Sequence, residues 1–386
     1  MKRFLTLLLA AFFAVNISAQ EIKIGIIGLD TSHATAFTQL INGGNEAWAQ
    51  GYRIVAAYPY GSRTIPSSYE RIPGYVEVVK KNGVEIVDSI EALLEKVDCV
   101  LLETNDGNLH LEQAIEVFKS GKPCFIDKPL AATLGQAIAI CELAKQYNAS
   151  FFTSSTLRYT PRNQELRAGA EGKVKGADCY SPHKIEPSHP DYGFYGIHGV
   201  ETLYTVMGTG CVTVSRTSTP NEHLVVGEWD DGRIGTFRAF LDGTQLYGGT
   251  VYTDRKKAVA AGGYIGYKDL LKEILQYFKT GKEPISREES LEIFTFMRAA
   301  NLSAERGGAR VTMEEAYRTG EKEAKKLLKQ YNRAAINKTV NKLKLLRYDF
   351  EKRFFEANAG GCCNTLARRY NLVVGELIAR KCGGCK

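Results

Sequence analysis

Between Glu21 and about Ser150, short apolar runs alternate with amphipathic ones. The stretches "IKIGIIG" (22–28), "YRIVAAY" (52–58), "DCVLLET" (98–104) and "PCFIDKP" (123–129) predict strands. Those at "ATAFTQLIN" (34–42), "SIEALLEKV" (89–97), "HLEQAIEVFKSG" (110–121) and "TLGQAIAICELAKQYN" (133–148) predict helices. Strands that are apolar throughout, each followed by a helix, predict a parallel sheet covered on both faces, a doubly wound α/β domain over 21–150.

Beyond "ASFFTSSTLRYTP" (149–161) the pattern changes. Strand-like runs between Val212 and Thr253 are separated by Asp231-Gly232 and Asp242-Gly243, dipeptides that favour hairpin turns. Helical patterns follow in "YKDLLKEILQYFKTG" (267–281) and "SREESLEIFTFMRAANLSAERGG" (286–308). Residues 151–332 therefore read as an α+β domain, an open and mostly antiparallel sheet with helices on one face, suited to holding a substrate or a second copy of the chain.

The ends differ from this body. Lys2 and Arg3 precede an apolar run from Phe4 to Val15 and the small-residue site Ile17-Ser18-Ala19, the layout of a signal peptide cleaved after Ala19. This places the mature protein in the periplasm or outside the cell, with no membrane span after removal. Residues 333–386 carry 12 Lys and Arg against 4 acids, a net of +8, whereas the whole chain carries +7. The body is thus near neutral at −1, and it shows no basic, aromatic-studded stripe of the kind that holds nucleic acid. Of nine cysteines, Cys99, Cys124, Cys141, Cys179 and Cys211 sit singly in apolar surroundings. Cys362, Cys363, Cys382 and Cys385 crowd the tail, where a zinc site, disulfides or no evolved site at all remain open readings.

The first strand runs into a helix, the context of a dinucleotide-binding loop. Such a loop wants three glycines, for the turn, for close approach to the pyrophosphate and for helix packing. Here Gly28 takes the first place, Asp30 the second and His33 the third. Asp30, Thr31 or Ser32 can each cap the helix, leaving backbone N–H groups and the helix dipole for an anion. After the second strand no acid stands ready for a ribose 2′-hydroxyl; Ser62 and Arg63 suit a 2′-phosphate or simply form a solvated turn.

Further along, "ETNDGNLHLEQAIEVFKSGKPCFIDKPLAAT" (103–133) resembles the glucose-fructose oxidoreductase, inositol dehydrogenase and rhizopine-catabolism family, Gfo/Idh/MocA. The matching residues are Thr104 and Asn105, His110, Gly121-Lys122 and Asp127-Lys128-Pro129, with Asp where the family has Glu. The resemblance continues through "LRYTP" (157–161), "GIHGVETLYTVMG" (196–208) and the segment 284–313, so it covers about 22–330 and leaves the tail without a counterpart.

The resemblance implies a Rossmann-like first domain that binds NAD or NADP, with Lys128 beside nicotinamide and substrate and Pro129 fixing its turn. His198 matches the family's catalytic histidine, Glu201 stands for an Asp, and Arg158, Tyr159 and Tyr195 fall in the substrate region. Four residues before His198, where the family's dehydrogenases often carry Asp, stands Phe194; Tyr195 or Asp191 are the nearby substitutes. No metal ligands are assigned in the body. The expected activity is hydride transfer from a carbohydrate hydroxyl with a cofactor held through the cycle. An NAD-dependent glycoside hydrolase and a non-catalytic binding protein on the same scaffold are the alternatives.

Overall fold

The computed structural model describes residues 21–357, so the expected signal peptide and the four tail cysteines lie outside the described residues. The chain forms two compact units, one ending at Lys322 and one beginning at Glu323.

The first sheet is wholly parallel. Its strands are β1 (Ile22–Ile27), β2 (Tyr52–Tyr58), β3 (Glu85–Ile86), β4 (Cys99–Leu102), β5 (Cys124–Ile126) and β6 (Phe151–Phe152), in the order β3-β2-β1-β4-β5-β6. Helix α1 (Ser32–Asn42) follows β1, α2 (Pro66–Tyr69) and α3 (Ile72–Lys81) follow β2, and α4 (Ile90–Leu94) follows β3. Helices α5 (Gly107–Ser120) and α6 (Leu134–Gln146) follow β4 and β5. The strand order reverses between β1 and β4, and ligands of such sheets bind beyond the carboxyl ends at that reversal. There the strands end level. Glu103 N donates to Ile27 O at 2.7 Å and Asp127 N to Leu102 O at 2.8 Å, so the residues just past β1, β4 and β5 emerge side by side.

The second sheet has the order β12-β11-β7-β10-β9-β8-β13. Its strands are β7 (Val174–Pro182), β8 (Cys211–Ser218), β9 (Glu222–Trp229), β10 (Ile234–Phe240), β11 (Gly248–Thr253), β12 (Ala258–Ala261) and β13 (Val311–Thr312). Every pairing is antiparallel except β7 with β10. Helices α7 (Pro161–Arg167) and α8 (Ile197–Met207) lie between β6 and β8 in sequence, and every residue of α8 is buried. Alternation along β9 between buried and half-buried residues leaves the other face of the sheet accessible.

The Asp231-Gly232 turn joins β9 to β10 as expected, but Asp242-Gly243 closes no hairpin. β7 takes the place beside β10, and β11 pairs with β7 instead. Two domain limits also move. Strand β6 adds Phe151 and Phe152 to the first sheet, past residue 150. Helix α9 (Lys268–Thr280) comes late in the chain yet buries Leu270, Leu271, Ile274, Leu275 and Tyr277 in one cluster with Ile24, Phe37 and Phe152. Its apolar stripe completes the first domain's core. Helix α10 (Arg287–Glu305) packs on β8, and helix α11 (Met313–Ala357) runs through position 333 without a break.

Candidate active site

Gly28 ends β1 with φ 89°, and a Cβ there would lie 2.5 Å from Thr104 Oγ1, so turn and packing both require glycine. Asp30 does not cap α1. Thr31 is the N-cap, and no side chain bonds to the first-turn N–H groups. Asp30 instead accepts from Ser62 N at 2.9 Å through Oδ2 and from Asn105 N at 3.0 Å through Oδ1, joining the loops after β1, β2 and β4. Burial pushes its pKa up to about 6 against the pull of those N–H groups.

Ser62 is buried and donates to Asp106 Oδ2 at 2.9 Å, while Arg63 is exposed and away from the cavity wall, so neither is placed for a 2′-phosphate. The guanidinium that does line the cavity belongs to Arg71, at the start of α3.

Three fully buried groups meet below this loop. His33 Nδ1 lies 3.0 Å from Asp127 Oδ1 and 3.6 Å from Glu103 Oε2. Burial alone would pull the imidazole down, but the charges of Asp127 and Glu103 outweigh it and lift His33 to about 10. Burial lifts Glu103 to about 7. Glu103 reads in sequence only as the end of an apolar strand; no spacing marks it.

Lys128 follows Asp127, whose Oδ1 accepts from the Lys128 N–H at 2.7 Å, and the Lys128–Pro129 peptide is cis. His110 is buried with Nε2 2.6 Å from Thr104 O and Nδ1 3.1 Å from Leu130 O. It braces two loops. Lys128 Nζ stands 5.4 Å from the centroid of Tyr195, whose ring lies 5.5 Å from that of His198. His198 Nδ1 is 2.7 Å from Ser155 Oγ, and the ring makes no other hydrogen bond among the described residues. Burial, then the positive charges of Lys128 and His33, hold His198 well below the usual imidazole range, so it is neutral near pH 7.

Arg158, Tyr159 and Glu201 stand behind the wall rather than on it. Arg158 Nε donates to Glu201 Oε1 and Nη1 to Glu289 Oε1, both at 2.7 Å, and Tyr159 packs into the first domain's core. Glu201 Oε2 also accepts from Ser155 N at 3.0 Å. The network thus fixes the serine that orients His198; its signal in sequence is absent because Arg158, Glu201 and Glu289 come from three separate elements.

All this surrounds one cavity of about 1090 Å³. Thr31, Ser32, Asn105 and Arg71 line one part, and Asp127, Lys128, Tyr195 and His198 another. The aromatic rings of Tyr247, Tyr264 and Tyr267, not singled out in the sequence, continue the wall from His198 round to His33. These residues fit a nicotinamide dinucleotide. The uncapped α1 N-terminus, with Arg71 on the wall of the same cavity, suits a pyrophosphate. Thr31 Oγ1 and Thr104 Oγ1 are buried without hydrogen-bond partners among the described residues. Lys128 and His198 line the same cavity with polar side chains.

Fold and cavity define a Rossmann-type parallel sheet joined to a second, mostly antiparallel sheet. Residues 22–154 match the Gfo/Idh/MocA family model, an oxidoreductase family with an NAD-binding Rossmann fold. The match covers the first domain, which thus has the NAD-binding Rossmann fold that this family model describes. An uncharacterized oxidoreductase of Streptococcus pneumoniae serotype 4 is 23% identical over 173 residues, 40% of this chain and 47% of that protein, so the match spans about half of the relative. An oxidoreductase of Thermotoga maritima superposes with a TM-score of 0.61 at 17% identity, over 77% of this chain and 100% of the other. The scyllo-inositol dehydrogenase of Lactobacillus casei, solved with NAD(H) and scyllo-inositol, gives 0.60 at 14% identity, over 76% and 100%. At such identities these structures share the fold.

Proposed function

We propose that the protein is an exported dehydrogenase that oxidises or reduces a ring hydroxyl of a sugar or cyclitol, with NAD(P) kept bound through the cycle. The carrying observation is that Lys128 and His198 line the same cavity, with Tyr195 between them and His198 held neutral. A nicotinamide held between these residues would supply the hydride acceptor or donor. Lys128 donates to the substrate hydroxyl oxygen and holds it in place. His198 takes or returns the hydroxyl proton at Nε2, while Ser155 Oγ, able to donate or accept, steadies Nδ1. The aromatic arc favours a ring with apolar faces. A signal-peptide-like leader supports export, and scarce free nucleotide outside the cytoplasm favours a cofactor that stays bound. The accessible face of the second sheet suits a second copy of the chain.

The test is to purify the full chain from its own compartment, denature it and assay released nucleotide, then follow nicotinamide absorbance with a panel of sugars and cyclitols. Bound NAD(P) and turnover are expected, with kcat falling about 10²–10⁴-fold in Lys128→Ala and in His198→Ala. No nucleotide released or regained overturns the proposal. Aglycone released from a glycoside without net change in nicotinamide would instead identify a glycoside hydrolase.

A further inference from the structure

We propose that His33, Glu103 and Asp127 form a binding site for one divalent transition ion, Zn²⁺ by geometry. Glu103 and Asp127 stand just past the ends of β4 and β5 and His33 in the first turn of α1, and one ligand atom from each lies within 4.8 Å of the others. In a tetrahedral zinc site with bonds of about 2.0–2.1 Å, neighbouring ligand atoms are about 3.3 Å apart. The 3.0 and 3.6 Å separations around His33 Nδ1 bracket that edge.

The second observation is unsatisfied polarity. Glu103 is 0% exposed, and beyond the ion-pair contacts with His33 neither of its carboxylate oxygens, nor Asp127 Oδ2, nor His33 Nδ1 makes a hydrogen bond among the described residues. Although Nδ1 is 3.0 Å from Asp127 Oδ1, the two are not aligned as a hydrogen bond. Leaving a buried carboxylate without partners costs several kcal/mol, roughly, and native interiors rarely tolerate it. An ion held by one atom from each residue engages His33 Nδ1 and one oxygen of each carboxylate at once. Two carboxylates and a neutral imidazole balance a 2+ charge. His33 and Asp127 also line the main cavity, so the fourth position opens toward it and takes water or an oxygen of a ligand there. One nitrogen and two carboxylate oxygens suit Zn²⁺ better than Ca²⁺ or Mg²⁺, which prefer six or more oxygens.

The experiment measures metal directly. The full chain is stripped with chelator, loaded with Zn²⁺, dialysed and analysed by elemental mass spectrometry, and a parallel sample is loaded with Co²⁺ for visible absorption. About one ion per chain is expected, with the intense bands of four-coordinate Co²⁺. Glu103→Gln and His33→Asn are each expected to lower occupancy at least about tenfold. Circular dichroism identifies any variant that has not folded, and the wild-type content and Co²⁺ spectrum stand without the variants. Wild-type content below about a tenth of an ion, with only the spectrum of hydrated Co²⁺, overturns the site. Nucleotide release is measured separately on the same protein, so loss of this site and loss of the dehydrogenase reading are told apart.

Discussion

Asp30 and His198 are ionisable groups whose burial sets their chemistry. Asp30 stands where a dinucleotide loop normally lacks a side chain, but it turns from the helix to the loops of Ser62 and Asn105. Its role was illegible in the sequence because both partners are distant residues acting through backbone N–H. His198 carries the clearer pH signature. Its folded pKa is depressed below the ordinary 6.5, so the unfolded chain binds the extra proton first. This residue therefore penalises the folded state once pH falls below 6.5, down to the folded pKa, and does not do so above 6.5. Urea denaturation of wild type and His198→Gln, compared at about pH 7.5 and about pH 5.5, is expected to show wild type losing more stability on acidification. Equal losses would show that the imidazole is not desolvated.

At the scale of elements, the network of Arg158, Glu201, Glu289 and Arg167 joins the turn after β6 to α8, α10 and α7. Breaking a buried pair strands its partner. Arg158→Met, which leaves Glu201 without its cation, is expected to cost about 3–5 kcal/mol in chemical denaturation. Arg162→Met, whose pairs with Glu165 and Glu171 face solvent, is expected to cost less than about 1 kcal/mol. Strands β1, β2, β4 and β5 and helices α1, α4, α5 and α6 were legible because those strands are mostly apolar and each precedes a helical pattern. Strands β3 and β6, two residues each, and helices α2 and α3 were not. Strand β7 was not, and its insertion beside β10 is what defeated the Asp242-Gly243 hairpin: local turn chemistry carries no information about a strand arriving from elsewhere. In the site, Lys128 and His198 were legible through their motifs. Glu103, Ser155 and the three tyrosines were not, because their role comes only from what they face.

For the whole molecule, the first domain is not a contiguous piece of chain. Strand β1 and helix α9 share one core although some 240 residues separate them in the chain. A fragment of residues 21–154, though it contains the family match, lacks the Leu270, Leu271, Ile274 and Leu275 stripe. Losing four buried aliphatic side chains at about 1.5–3 kcal/mol each exceeds half the stability of a typical domain. The fragment is expected to give no cooperative thermal transition, whereas the full chain gives one; a cooperative transition in the fragment would show that the first sheet and its own helices suffice. This dependence on late sequence also explains why the domain boundary near residue 150 was only partly legible. Hydrophobic pattern marks elements, not the core they join.

Gly61 lies directly against the Asp30 carboxylate, and a Cβ built on it would overlap those oxygens. The two positions therefore share a single volume, and the order in which they can change is constrained. A side chain at 61 is blocked while Asp30 remains, whereas Asp30→Gly frees the room first. A larger residue at position 61 therefore depends on a prior change at position 30.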